Sequence, residues 1–255
     1  MFLDVVDLRN FYAQPLGIMT RRLLGRAIRS RFDNVTNLRV LGLGYATPYL
    51  GVFREEAERC LAVMPAAQGV VRWPSAAPTL ATLADETLLP FPTASMDRVV
   101  AVHALEMTPN AAEMLSEVWR VLAPGGRLLA VVPNRRGVWA RIDTTPFGNG
   151  RPFSRGQVVA LLRQALFTPV GWNEALYAPP SRWFLRTAVA WERVGAQFSL
   201  PFSGVLVVEA TKQLYRPIPA RKPRLAPVLE PALDGSLVGS PAPAGRVRLP
   251  QSMPE

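Results

Sequence analysis

The sequence predicts a doubly wound α/β domain around a mostly parallel sheet, and three observations carry that prediction. Four short aliphatic runs, Leu38 to Leu43, Cys60 to Met64, Met96 to His103 and Arg127 to Pro133, stand apart from one another. Strands buried on both faces have this character. The segments between them are helical or turn-rich, and strands alternating with helices imply parallel strands joined by crossovers that cover both faces. The chain has 255 residues, 49% of them apolar, enough for one sizeable core. No apolar run approaches the roughly 20 residues of a membrane helix.

From Val5 to Arg31 apolar residues recur at helical spacing, with Phe11, Leu16, Met19, Leu23, Leu24 and Ile28 near one face and arginines opposite. Residues 1–36 are therefore expected as a helical cap of one or two helices, and 37–215 as the α/β domain. Pro48 to Arg59 reads as a short helix after the first strand. Between the third and fourth runs, Asn110 is expected to cap a helix whose inner face is Met114, Leu115, Val118, Val121 and Leu122, with Pro124-Gly125-Gly126 stopping it. Ser154 caps a further helix to Leu166. Late strands fit Val170 to Ala175 and Val205 to Ala210, with Ser181 to Gly195 helical between them. Nine of the 25 prolines fall in residues 216–255. That density removes the backbone donors of helix or sheet, so a disordered, Pro-rich tail is expected there.

The net charge of +10 is mostly arginine. It gathers in Arg21, Arg22, Arg26, Arg29 and Arg31 and again in Arg216, Arg221, Lys222 and Arg224, a division that argues against nucleic acid as the partner. Cys60 is the only cysteine and His103 the only histidine, which excludes an internal disulfide and leaves too few soft ligands for zinc; no metal is expected. Asp4 and Asp7 precede any basic residue, unlike a secretory signal, so the expectation is cytoplasmic.

Two blocks carry chemistry. The first is Val40-Leu41-Gly42-Leu43-Gly44-Tyr45-Ala46-Thr47-Pro48-Tyr49-Leu50, where Gly44 lets the chain turn sharply off a strand at the carboxyl edge of the sheet. The second runs Leu89-Pro90-Phe91-Pro92, Ser95-Met96-Asp97-Arg98-Val99-Val100, Leu105-Glu106, then Glu117-Val118-Trp119-Arg120-Val121-Leu122-Ala123-Pro124-Gly125-Gly126. In their order and separation these blocks resemble the class I, Rossmann-like methyltransferases that use S-adenosylmethionine (SAM), the type 11 methyltransferases in particular. The resemblance spans Leu38 to Val132. It implies SAM as cofactor and methyl transfer as activity. By residue chemistry alone, Asp97 reads as a backbone-bonding group, and Glu117 and Arg120, three apart on a helix, as a pair worth about 0.2 to 0.5 kcal/mol.

The resemblance places the cofactor at Gly42, Gly44, Tyr45, Ala46, Met64, Pro65, Asp85 and His103. Several of these depart from the family. Gly42 stands where an acid anchors the cofactor's amino-acid end, Ala46 and Pro48 replace loop glycines, and Met64 or Pro65 stands where a carboxylate receives the ribose hydroxyls. A lost charged acceptor costs about 1.5 to 3 kcal/mol. Asp85 matches the acid that reaches the adenine amino group, and Glu86 beside it is a substitute. His103 and Asn134-Arg135 follow strands and belong on the same rim; His103 reads either as a hydrogen-bonded rim histidine or as a general base. No residue is assigned a catalytic role.

Acceptor contacts are expected from Phe11 and Tyr12 and from the loop Asp143 to Phe153, whose Phe147 and Arg151 suit a pocket wall under a mobile lid or an ordinary surface loop. Trp139, Trp172, Trp183 and Trp191 read as core or edge packing rather than a recognition platform. Three functions follow: a SAM-dependent methyltransferase acting on a small-molecule or lipid-like acceptor, a catalytically inactive methyltransferase-like binding or scaffold protein, and a nicotinamide enzyme. The last is disfavoured because the G-x-G-x-x-G spacing and the acidic ribose anchor are missing.

Overall fold

The computed structural model describes residues 3–198 and 202–214. The tail expected at 216–255 lies outside the described residues. Two helices, α1 (Val5–Ala13) and α2 (Pro15–Arg29), lead the chain. Asp4 caps α1 by accepting from the amides of Val6 and Asp7, and Pro15, which needs no amide donor in a first turn, starts α2.

The aliphatic runs become β1 (Arg39–Gly44), β2 (Arg59–Pro65), β4 (Met96–Val102) and β5 (Leu122–Pro133). The edge strand β3 (Ala81–Ala84), the late strands β6 (Phe167–Ala175) and β7 (Val205–Lys212) complete a seven-stranded sheet in the order β3-β2-β1-β4-β5-β7-β6. β1 to β5 are parallel, and β7 runs antiparallel between β5 and β6. The strand order reverses between β1 and β4, so a crevice opens beyond their carboxyl ends, where doubly wound sheets place ligands.

The crossovers are α3 (Thr47–Arg54), α4 (Ala111–Val121) and α5 (Arg155–Gln164), and α6 (Ala188–Phe198) precedes β7. Two apolar clusters form the core, one on each sheet face. Leu24, Ile28, Tyr49, Phe53 and Val100 belong to the first, which holds α1, α2 and α3 to the sheet; Leu115, Val118, Val99 and Leu162 belong to the second, under α4 and α5.

Polar ties fix the registers. Asp97 accepts from the Arg39 amide and both ends of its guanidinium, joining the starts of β1 and β4; Arg39 holds its carboxyl below the usual range. Glu117 and Arg120 do more than pair: Glu117 also accepts from the Leu89 amide, and Arg120 donates to the Leu89 and Phe91 carbonyls, pinning the segment before β4 to α4. Glu209, buried in β7, pairs with Arg127 of β5 and Arg31 beyond α2. Lys212 donates to the Trp119 and Leu122 carbonyls at the end of α4, where a cation offsets the helix dipole.

Several boundaries differ from expectation. Asn110 occupies the N-cap position of α4, but its side chain makes no capping bond. Pro124-Gly125-Gly126 does not stop that helix; it already lies within β5, which starts at Leu122. The helix after β1 ends at Arg54, and the helix expected from Ser181 forms at Ala188, after a single 3₁₀ turn at Arg182–Phe184. Trp139 is core and Trp191, 36% exposed, packs at an edge against Phe184, whereas Trp183 is 90% exposed and packs in neither way.

Candidate functional site

At the end of β1 the chain turns at Gly44, with φ near +74°. A Cβ there would lie 2.4 Å from the Val102 carbonyl oxygen, so both the turn and the contact with β4 require glycine. Gly42 has a different reason. A Cβ there would lie 2.5 Å from a Leu50 methyl and 3.0 Å from Ala46. The slot in which the resembled family seats an acid is filled by an apolar side chain of α3. Pro48 sits in the first turn of α3, where its missing amide breaks no helical bond, and the Tyr49 amide donates to the Ala46 carbonyl.

β2 ends in Met64, fully buried, whose sulfur accepts from the Val71 amide at 3.4 Å, and then Pro65. The chain reverses through Pro65 to Gly69, with the Gln68 and Gly69 amides on the Pro65 carbonyl. This turn drives Gln68 inward, 5% exposed, until its amide donates to the His103 carbonyl at 2.9 Å. Its Oε1 is buried without a hydrogen-bond partner. The Gln68 carbonyl in turn accepts from the Val5 amide, docking α1 onto the turn.

His103 follows β4 in a left-handed conformation, φ near +50°, and is fully buried. Its Nδ1 lies 3.1 Å from Glu106 Oε1, its Nε2 2.9 Å from the Tyr12 hydroxyl, and Tyr49 donates to that hydroxyl at 2.9 Å. With Glu106 as carboxylate, which only accepts, Nδ1 carries the hydrogen and Nε2 accepts from Tyr12. Tyr12 then accepts from Tyr49, so the imidazole and both hydroxyls find partners, while Glu106 Oε2 is buried without one. Burial pushes the Tyr12 and Tyr49 hydroxyls well above the usual phenol range. Tyr45, 5% exposed, stacks on Tyr12 with ring centres 5.6 Å apart, and Phe147 lies 4.8 Å from the His103 ring.

The structure thus brings Gly44, Tyr45, Ala46, His103, Tyr12 and Phe147 together, each buried. It leaves Asp85 outside, fully exposed, bonded to the Thr87 amide and hydroxyl. Glu86 instead lines a cavity of about 260 Å³ with Pro65, Gln68, Ala104 and Met107, and accepts from Thr108. Asn134 bonds Ser203 and the Arg136 amide. Arg151 is exposed over the Phe153 ring. The loop Asp143 to Phe153 is tied down: Asn149 donates to the Asp143 and Thr145 carbonyls, the Arg151 amide donates to the Glu106 carbonyl, and Pro146 and Phe147 are buried. Sequence reasoning overlooked Gln68, Tyr49 and Glu106 as site residues. A polar Gln68 between a strand end and Gly69 was the available signal.

These residues fit the two ends of SAM differently. The cavity bounded by Pro65, Ala104, Met107 and Glu86 suits a flat nucleoside, and the orphaned Gln68 Oε1 awaits a donor of the kind an amino group or ribose hydroxyl carries. The amino-acid end is not accommodated with Gln68 and Tyr12 where they stand. Those side chains bond to the His103 carbonyl and ring beside Gly44, and Leu50 fills the slot at Gly42.

Residues 40–130 match the family model described as "Methyltransferase domain". The demethylmenaquinone methyltransferase of Thermus thermophilus is 27% identical over 172 residues, covering 66% of this chain and 69% of that protein. Among solved structures, a chain from the complex of the Haloferax volcanii Trm112 methyltransferase activator with a putative methyltransferase superposes with a TM-score of 0.62 at 17% identity, covering 84% of this chain and all of that one. A SAM-dependent methyltransferase of Thermotoga maritima, a possible histamine N-methyltransferase, gives 0.58 at 15% identity over 82% and 96%. The [4+2]-cyclase SpnF gives 0.52 at 20% identity over 75% and 80%, so the likeness shows the fold and leaves the reaction to the site. The chain thus has the class I, Rossmann-like methyltransferase fold, and its residues 40–130 match a methyltransferase domain.

Proposed function

We propose that the chain is a SAM-dependent methyltransferase acting on a small-molecule or lipid-like acceptor, and that the Gln68 turn and α1 give way to admit the cofactor. One observation carries this reading: the cavity at the ends of β2 and β4, lined mostly from the family-matched segment, has Gln68 on its wall, and the buried Oε1 of that side chain has no partner. An unpaired buried acceptor costs about 1 to 3 kcal/mol, which a ligand donor would recover. Calorimetric titration with SAM and S-adenosylhomocysteine tests it. Micromolar binding is expected, weakened by Glu86→Ala and untouched by Asp85→Ala, whose side chain faces solvent. No heat at millimolar nucleoside, in the native chain and in Gln68→Ala alike, would refute the reading.

A second reading, a binding or scaffold protein that has left methyl transfer behind, is favoured by the filled amino-acid end. It predicts no nucleoside binding, together with a stable protein partner recovered in co-purification.

A further inference from the structure

A wider groove, about 850 Å³, lies on the other side of Tyr12 and Tyr45 from His103, walled by α1, α2, the first turn of α3 and residues 70–75. Three guanidinium groups stand on its walls, Arg9 from α1, Arg21 from α2 and Arg72 from the segment after β2. No carboxylate lines it, and none of the three arginines has an acidic partner within 4.0 Å among the described residues. Apart from the hydroxyls of Thr47 and Ser75, the rest of the lining is apolar or aromatic. Val6 is 55% and Val70 44% exposed at its rim, Trp73 flanks it, and the stacked Tyr12–Tyr45 pair forms part of its surface.

Converging cations without counter-ions raise the local positive potential, and concave walls of low polarity focus it. An exposed face serving only solubility would carry charges of both signs and would not expose valines between its arginines. Charge and surface together specify a complement: a negative head and an apolar body.

We propose that this groove binds a small organic anion, a carboxylate or phosphate on an aromatic or aliphatic body, with Arg9 and Arg21 at the anionic group and Tyr45 and Trp73 against the body. Arg72 donates to the Ala77 carbonyl, which holds it on the same wall. As the methyl acceptor's class, the anion rests on the methyltransferase reading; as a ligand, it does not. The groove also shifts the expected acceptor contacts. Tyr12 remains among them, whereas Phe147 and Arg151 do not line it.

The test titrates the full chain calorimetrically with four probes: 2-naphthoate, 2-naphthyl phosphate, neutral 2-naphthamide and inorganic pyrophosphate. One naphthyl anion should bind at least ten times more tightly than the amide, its identity distinguishing carboxylate from phosphate, and pyrophosphate should give no saturable heat. Arg9→Gln and Arg21→Gln should each weaken that anion about fivefold. Arg22→Gln, on the same helix but outside the groove, should leave it unchanged. All three arginines are exposed, so circular dichroism should show the native fold in each variant. Equal binding of anion and amide, equal losses in all three variants, or no binding of any naphthyl probe at millimolar concentration would overturn the proposal. The same samples titrated with S-adenosylhomocysteine separate the two readings. Anion binding without nucleoside binding sinks the methyltransferase reading and keeps the groove; the converse sinks the groove alone.

Discussion

Glu192 makes the stability of this protein depend on pH in an unusual direction. It sits on the inner side of α6, where burial pushes its carboxyl from 4.5 up to about 7, although the Leu176 and Tyr177 amides donate to it and partly offset the burial. In the unfolded chain it titrates near 4.5. The folded state therefore holds one more proton than the unfolded state between about pH 4.5 and 7. Stability falls as pH rises through that window and is level above it. At about 1.4 kcal/mol per pH unit the fall is at most about 3.5 kcal/mol, and roughly 1 to 2 kcal/mol is expected once partial hydration of the carboxyl is allowed for. Glu192→Gln keeps an acceptor oxygen for both amides and cannot ionise. Urea unfolding from pH 5 to 8.5, followed by circular dichroism and by tryptophan fluorescence for the α6 region around Trp191, should show the native chain losing stability while the variant does not. Parallel pH profiles for the two proteins would refute the argument. A loss seen only by fluorescence, and absent from a Trp191→Phe chain, would locate the effect in local opening of α6.

Three further outcomes follow from the crevice. Gly44→Ala combines a left-handed backbone with a Cβ 2.4 Å from the Val102 carbonyl oxygen and should cost about 2 kcal/mol or more in chemical denaturation. Tyr12→Phe leaves both the His103 Nε2 and the Tyr49 hydroxyl unpaired in the core, so it should cost about 2 to 4 kcal/mol, against about 1 kcal/mol for Tyr49→Phe at the end of the row; equal losses would mean that the row is not ordered as described. Gly42→Asp, which restores the acid of the resembled family, should be destabilised by about 2 to 4 kcal/mol because its Cβ meets Leu50, and Leu50→Ala in the same chain should be less harmful than in the native background, a coupling that a double-mutant cycle measures.

Much of the fold was legible because the central strands are buried on both faces, and an aliphatic run closed by glycine or proline has few other uses. Ser154 also announced itself as a helix cap, and the structure adds a reciprocal capping box with Gln157. The edge strand Ala81–Ala84 did not. It is four residues long, with Thr82 and Leu83 exposed, and among the described residues its only strand partner is β2. The insertion of β7 between β5 and β6 was equally hidden, since antiparallel pairing across more than 70 residues leaves no local trace. In the site, Gly44 was readable from its role in the turn, while Asp85 was misleading. Sequence adjacency cannot say which of Asp85 and Glu86 faces inward; the Thr87 bonds that hold Asp85 outward are a property of the folded loop.

The departures from the family pattern belong together in space. Where the acid at position 42 is missing, Leu50 occupies the vacated volume; where the ribose carboxylate is missing, Met64 is covered by Val71. Where the amino-acid end would lie, Gln68 and Tyr12 bond to His103. Random loss of anchors would leave holes or stranded charges, each costing stability. Here the replacements pack against one another, so the crevice has been rebuilt as core along one half and left hollow along the other. The hollow half retains the unpaired Gln68 Oε1, and the groove beyond Tyr45 retains arginines without acidic partners. Those two places carry unmet bonding capacity, and ligand binding is therefore to be sought there rather than at Gly42 and Asp85.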